Sequence, residues 1–160
     1  MGLKDFLQSR RDDAELGRGV WRRANDRFNR GIDRFHQILQ QLPDDRSLEL
    51  VVPEANRLAD MIEEVRTICR RAQTIAPSAG TDMPYSPTGV YSDLHRSLSK
   101  AGNAVALCAE ALAMTRVASD DAAQQSRQAV MTQRVDRVAE HLEDAERLVS
   151  AAEKQHGGAH

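Results

Sequence analysis

The sequence predicts an all-α protein, an up-down-up-down four-helix bundle with long helices, and three observations favour that class. The chain has 160 residues, of which 41% are hydrophobic and only 4% are aromatic. It contains 22 alanines; alanine has the highest helix propensity, whereas strands favour β-branched and aromatic residues. Four segments repeat apolar residues three and four positions apart, which is typical of a helix with one buried face.

The first two predicted helices form an antiparallel hairpin. The first carries its apolar stripe over residues 21–42 and the second over residues 51–76. Residues 43–47 between them are a short turn that supplies a cap for the second helix. Pro53 falls early in the second helix, so it lies either in the first turn or at a kink.

The last two predicted helices carry their stripes over residues 91–112 and 131–152. Similar lengths and a heptad-like, coiled-coil period favour a left-handed bundle. Only residues 119–121 separate these two helices, and no glycine or proline occurs between Asn103 and Gln155. A single long helix exchanged between subunits is therefore an open alternative.

A proline-rich loop over residues 77–89 joins the second and third predicted helices. It holds three prolines and two glycines, and Ser86-Pro87 predicts an N-cap followed by proline at the first helical position. Long loops in compact domains are often functional. A ligand site in this loop is thus an alternative to a purely connecting role.

The two ends of the chain are predicted to lie outside the bundle, as an arm at the N-terminus and a tail at the C-terminus. Near the N-terminus, Leu3, Phe6 and Leu7 fall on one helical face, so this arm docks on its own bundle, on a partner, or weakly on a membrane surface. The predicted organisation is an N-terminal arm (residues 1–12), a four-helix bundle (residues 13–155) and a disordered tail (residues 156–160).

Composition predicts a cytoplasmic bacterial protein with no integral membrane contact. No apolar run is long enough to span a membrane, and the N-terminus lacks the apolar core of a signal peptide. Two cysteines in 160 residues exclude a secreted disulfide scaffold. Arginine outnumbers lysine 19 to 3, a usage that GC-rich bacterial genomes produce.

Residues of catalytic or metal-binding type form no recognisable site in the sequence. His36, His95 and His141 lie beside core stripes on separate predicted helices, and none has a glutamate three positions earlier, as a di-metal carboxylate bundle requires. No glycine-rich phosphate loop is present. We therefore expect a non-enzymatic protein without metal or cofactor. The alternative is a small-molecule or metal-binding bundle that uses the 77–89 loop and these histidines.

The two cysteines are predicted to be separate, buried thiols. Cys69 and Cys108 both fall within apolar stripes, where thiols are usually inert. If the second and third helices pack as an antiparallel hairpin, Cys69 faces Ser97. Cys108 then lies about 16 Å further along at helical rise, whereas a disulfide needs Cα atoms within about 7 Å.

An arginine stripe on the first predicted helix consists of Arg23, Arg27, Arg30 and Arg34. Nucleic-acid binding is one interpretation, but the net charge of −2 weighs against it. The N-terminal 46 residues are net basic, whereas residues 119–160 are net acidic. We expect the first and fourth helices to be neighbours with complementary charge, and no nucleic-acid partner.

The third predicted helix has a second apolar stripe besides its core stripe, and two stripes on one helix indicate burial on two sides. Either a wide bundle face is covered by the N-terminal arm, or the stripe contacts another molecule. The sequence favours association, as a homodimer or an adaptor, with Leu107 and Met114 at the centre of the interface. The predicted interaction strip consists of Ala104, Leu107, Ala111, Met114 and Ala118.

Overall fold

The computed structural model describes residues 2–43, 45–115 and 120–158, and within them it contains helices but no strand. The all-α class is thereby confirmed. The predicted number of four helices is wrong, because the segment predicted as an arm is itself a helix. The five helices are α1 (Leu3–Leu16), α2 (Val20–Leu39), α3 (Asp45–Ile75), α4 (Val90–Thr115) and α5 (Asp121–Gly158).

The four long helices surround one apolar core in an order that differs from the predicted one. α2 contacts α3 and α4, and α5 contacts the same two helices from the opposite side. α2 and α5 share no contact within the described residues, and α3 barely touches α4. The first and fourth long helices are therefore diagonal, and the proline-rich loop crosses the end of the bundle diagonally rather than closing a hairpin.

Helix directions follow from contacts between side chains. The ring centroids of Trp21 and His95, near the starts of α2 and α4, are 6.0 Å apart, so these helices begin at the same end and run parallel. Arg134 near the middle of α5 donates to the carbonyl of Leu107, and Arg127 donates to that of Met114. α4 and α5 are thus separate antiparallel helices, and the alternative of one continuous helix is wrong.

Most of the positions that helical periodicity predicts to be buried are buried in the core of the structure. Ile62 is an exception, because it is only partly buried at the edge of the core. Leu42 also lies at the edge, beyond the end of α2. The predicted core residues found buried are Phe28, Phe35, Leu58, Val65, Leu98, Val105 and Leu142.

Several helix ends differ from the prediction. α4 begins at Val90, after Gly89 with φ 74°, so Pro87 lies in a turn before the helix and not at its first position. Asp120 caps α5, because its Oδ1 accepts the Ala123 N–H at 2.7 Å. α5 then continues to Gly158, through most of the predicted tail.

Pro53 lies well inside α3, beyond its first turn. Asp44, Ser119 and residues 159–160, all part of the predicted turns and tail, lie outside the described residues. Among the residues described, no helix combines the length and the apolar character that crossing a membrane requires.

The C-terminal half of α1 docks on the bundle. Leu16 is fully buried, and Arg66 of α3 donates to Asp12 at 2.7 Å and to Glu15 at 2.8 Å. The predicted arm is therefore a longer helix that packs against its own chain. Its N-terminal half projects with its apolar face exposed: Leu3, Phe6 and Leu7 are all more than half accessible.

Candidate interaction surface

The structure divides the predicted interaction strip of α4 into buried and exposed positions. Ala104 and Ala111 are buried, whereas Leu107 is 48% and Met114 is 57% exposed. Ala118 lies outside the described residues. The two large residues of the strip are therefore those that face solvent in the single chain.

α5 supplies residues to this surface that the sequence did not point to. Arg134 and Arg127 reach the α4 carbonyls of Leu107 and Met114, which places both arginines beside the strip. Val130 lies between them on the same helix face, three residues after Arg127 and four before Arg134, and is 41% exposed. We call Leu107, Met114, Val130, Arg127 and Arg134 the α4/α5 patch.

The charges around the patch have no ionic partners among the residues that the structure describes. Neither Arg127 nor Arg134 has a carboxylate partner among the described residues, and Glu110 on the other side of the strip has no cationic partner there. At about 100° per residue, Glu110 is displaced by about 60° from Leu107 toward α2. Within the described part of the chain, the patch therefore has cations without carboxylate partners on its α5 side and an anion without a cationic partner on its α2 side.

Several acidic residues of α5 pair with α3, and none of those described pairs with the arginine stripe of α2. Arg71 binds Glu146 at 2.7 Å and Glu153 at 2.5 Å, and these hydrogen bonds raise the pKa of Arg71. Arg57 binds Asp136 at 2.7 Å. The predicted complementarity between the first and fourth long helices is wrong, since those helices do not meet in the part of the chain described.

The cysteines are buried and free, as predicted. Burial raises the pKa of both thiols, Cys69 and Cys108, to about 12. The hairpin register used to separate them is wrong, because α3 and α4 are diagonal. Because both thiols are protonated and enclosed, the two cysteines act as packing residues and not as nucleophiles.

The histidines lie apart on three helices. His95 packs edge-to-face against Trp21, and burial lowers the pKa of its imidazole. Burial also lowers the pKa of His141 on α5, whereas His36 lies beside Phe35 on α2. Within the residues described, no three or more metal-ligating side chains come together.

The proline-rich loop is tied to the start of α2. The Trp21 Nε1–H donates to the carbonyl of Ala76 at 2.9 Å, and Ser78 Oγ accepts the Val20 N–H at 3.0 Å. Gly19 is required at this approach, since a Cβ there would lie 2.1 Å from Ser78 Oγ. These contacts give the start of the loop a role in closing the bundle end, and a ligand site there stays a prediction.

No protein family, curated protein or solved structure matches this chain. Its class is therefore defined by its own geometry: an all-helical protein with an exposed apolar patch on α4 and α5 and an arginine stripe on α2.

Proposed function

We propose that the chain is a non-enzymatic, cytoplasmic protein that works by association and forms a homodimer through the α4/α5 patch. The observation that carries the proposal is the exposure of Leu107 and Met114, at 48% and 57%, beside the exposed Val130. Large apolar side chains gathered on a charged surface are typical of interaction sites.

A two-fold axis that runs parallel to α4 through the centre of the patch gives it electrostatic complementarity. A half-turn about this axis places the α2 side of one copy opposite the α5 side of the other at the same level along the helix. Glu110 of each copy would then lie between Arg127 and Arg134 of the other copy. The anion and cations that lack ionic partners among the described residues of one chain would thus pair across the interface.

The size of a stable interface sets which residues take part. Specific dimers bury about 800 Å² on each partner, which is more than three apolar side chains supply. The aliphatic stems of Arg127 and Arg134 therefore belong to the interface, since arginine stems cover apolar surface while their charged ends pair.

Light scattering tests this proposal directly. The wild-type protein at micromolar concentration should scatter with about twice the chain mass of 17.8 kDa. The double variant Leu107→Glu, Met114→Glu should be a folded monomer, because it places like charges across the axis in a desolvated seam. Circular dichroism checks that the variant remains helical.

The matched control is Leu48→Glu, Val52→Glu. These α3 residues are 37% and 39% exposed and lie on a helix that barely touches α4. The control should stay dimeric. A monomeric wild type would refute the proposal, as would a control variant that dissociates as completely as the patch variant.

A further inference from the structure

A groove of about 520 Å³ lies between α2 and α4. The two helices approach closely at Gly31, where an added Cβ would lie 2.8 Å from Val105 Cγ1. Beyond this point the α4 residues at the bottom of the groove are alanines, and Glu110 lies on the α4 wall, so the space between the helices stays open. The floor consists of Gly31 with Gly102, Ala106, Ala109 and Ala113.

Arginines form the α2 wall of this groove. Arg27, Arg30 and Arg34 line it, and Arg27 donates to Asn103 Oδ1 on the α4 side. Arg30 and Arg34 are exposed and have no carboxylate partner within the described chain. By contrast, Arg22, Arg66 and Arg71 each bind two or more carboxylates. Among the residues described, Arg30 and Arg34 thus make the wall a cationic surface without ion-paired carboxylates.

We propose that this groove binds an acidic amphipathic helix of a partner protein. The arginines are spaced three and four residues apart, and the small floor residues of α4 are spaced four, three and four apart. This is the period at which one helix meets another. The floor from Gly102 to Ala113 is about 16 Å long, so the groove accommodates about three turns of a helix.

Charge fixes the orientation of the bound helix. Carboxylates on one flank would face Arg27, Arg30 and Arg34, where guanidinium groups bind them bidentately. Small or aliphatic residues would face the alanine floor. Glu110 on the α4 wall disfavours acidic residues on the opposite flank, so the partner helix is acidic on one side only.

A nucleic acid fits this groove less well than a helix does. Single-stranded nucleic acids bind on aromatic side chains that stack with their bases, and the groove is lined by none. Glu110 would also face the phosphates that Arg30 and Arg34 attract. A helix with one acidic flank meets both walls without a like-charge contact.

A synthetic peptide provides the probe. It is a helix of about 14 residues, with glutamates spaced three and four apart on one flank and alanine and leucine on the adjacent face. Its fluorescence anisotropy is titrated with the wild-type protein. A second peptide with the same sequence order but lysine in place of each glutamate is the charge-reversed control.

Three variants of the protein distinguish the contribution of charge to peptide binding from the contribution of groove shape. Arg30→Ala, Arg34→Ala should weaken binding of the acidic peptide by about tenfold or more, since two charge-assisted contacts are lost. Ala106→Leu keeps the charge and fills the floor, and it should also weaken binding. Arg137→Ala, Arg147→Ala removes two exposed arginines of α5 and should leave binding unchanged.

Competition identifies the class of ligand. A single-stranded oligonucleotide and vesicles containing anionic lipid should displace the peptide only weakly. Displacement by either at lower concentration than the unlabelled peptide would overturn the proposal in favour of a polyanion site. Equal binding of both peptides, absence of binding, or an Ala106→Leu variant that binds like wild type would also overturn it.

Discussion

Arg66 should control whether α1 stays docked on the bundle. Its guanidinium joins α3 to α1 through Asp12 at 2.7 Å and through Glu15 at 2.8 and 3.0 Å. Replacing it with methionine keeps an unbranched aliphatic stem and removes all three hydrogen bonds. The change therefore tests the polar attachment of α1 while leaving most of the apolar contact in place.

The expected loss of docking free energy depends on how deeply the ion-paired side chains are buried. Hydrogen bonds to charged groups contribute about 1.5–3 kcal/mol each when well buried, but exposed ion pairs contribute less than about 1 kcal/mol. The side chains of Arg66, Asp12 and Glu15 are 13%, 17% and 25% exposed, between these limits. We expect Arg66→Met to destabilise the docked state by about 2 kcal/mol, or about 30-fold in the docking equilibrium.

Hydrogen exchange of backbone amides measures this effect. A free helix of 14 residues is marginal in water, so released α1 unfolds and its amides exchange about 30-fold faster. The amides of α2–α5 should keep their protection. Arg70→Met is the control, because Arg70 is an exposed neighbour in α3 without an ion pair among the described residues. Unchanged α1 protection, or equal loss in all helices, would refute the reasoning.

Lowering the pH should also weaken the docking of α1 on the bundle. Hydrogen bonds from Arg66 and then Arg11 lower the pKa of Glu15 below its usual 4.5. Glu15 therefore stabilises docking above pH 4.5, and this contribution is lost as the pH falls through the lowered value. α1 exchange in the wild type should accelerate in that window, whereas Arg66→Met should respond less.

Three further predictions follow from burial. Leu142→Ala should cost about 2–5 kcal/mol in the free energy of unfolding by denaturant titration, because Leu142 is fully buried; a change below about 0.5 kcal/mol contradicts its place in the core. Cys69 and Cys108 should resist alkylation until the protein unfolds, and mass spectrometry should find no bridge between them. Burial lowers the pKa of His95 below 6.5, so its contribution to stability should be lost as the pH falls below 6.5, and His95→Gln should reduce that dependence in thermal melts.

Periodicity predicted which residues are buried better than it predicted what covers them. Trp21, Val65 and Leu142 are inaccessible because each lies at the centre of an apolar stripe, a property of one helix alone. The partner of each stripe depends on how the connections run. A loop such as residues 77–89 is long enough both for a hairpin and for a diagonal crossing, so the sequence did not distinguish the two.

Local backbone geometry explains the error at the start of α4. Ser86-Pro87 has the composition of a helix start, but Gly89 adopts a positive φ, which an α-helix does not contain. The helix therefore begins three residues after Pro87. A glycine between a capping signal and the first apolar residue is the feature that could have indicated this shift.

The sequence predicted the α4 part of the candidate surface but not the α5 part. Leu107 and Met114 stand out because they lie outside the core stripe of a helix with few charges. Val130 lies next to core residue Met131 and between arginines, so its exposure becomes apparent only once α5 is placed against α4. The arginines that surround it reach α4 carbonyls, a contact that sequence periodicity does not report.

The two proposed surfaces share α4 and meet at Glu110, which borders the groove and pairs with the other copy in the dimer, but their apolar residues face different directions. At about 100° per residue, Ala109 and Ala113 of the groove floor lie about 120–160° from Leu107, on the α2 side of the helix. A dimer through the α4/α5 patch therefore leaves the alanine floor and the arginine wall of both grooves uncovered, one groove on each copy. Two identical acidic-helix sites on one particle would raise the avidity for a partner that carries two such helices. The Leu107→Glu, Met114→Glu monomer should then bind a single peptide as wild type does, and a tandem peptide more weakly.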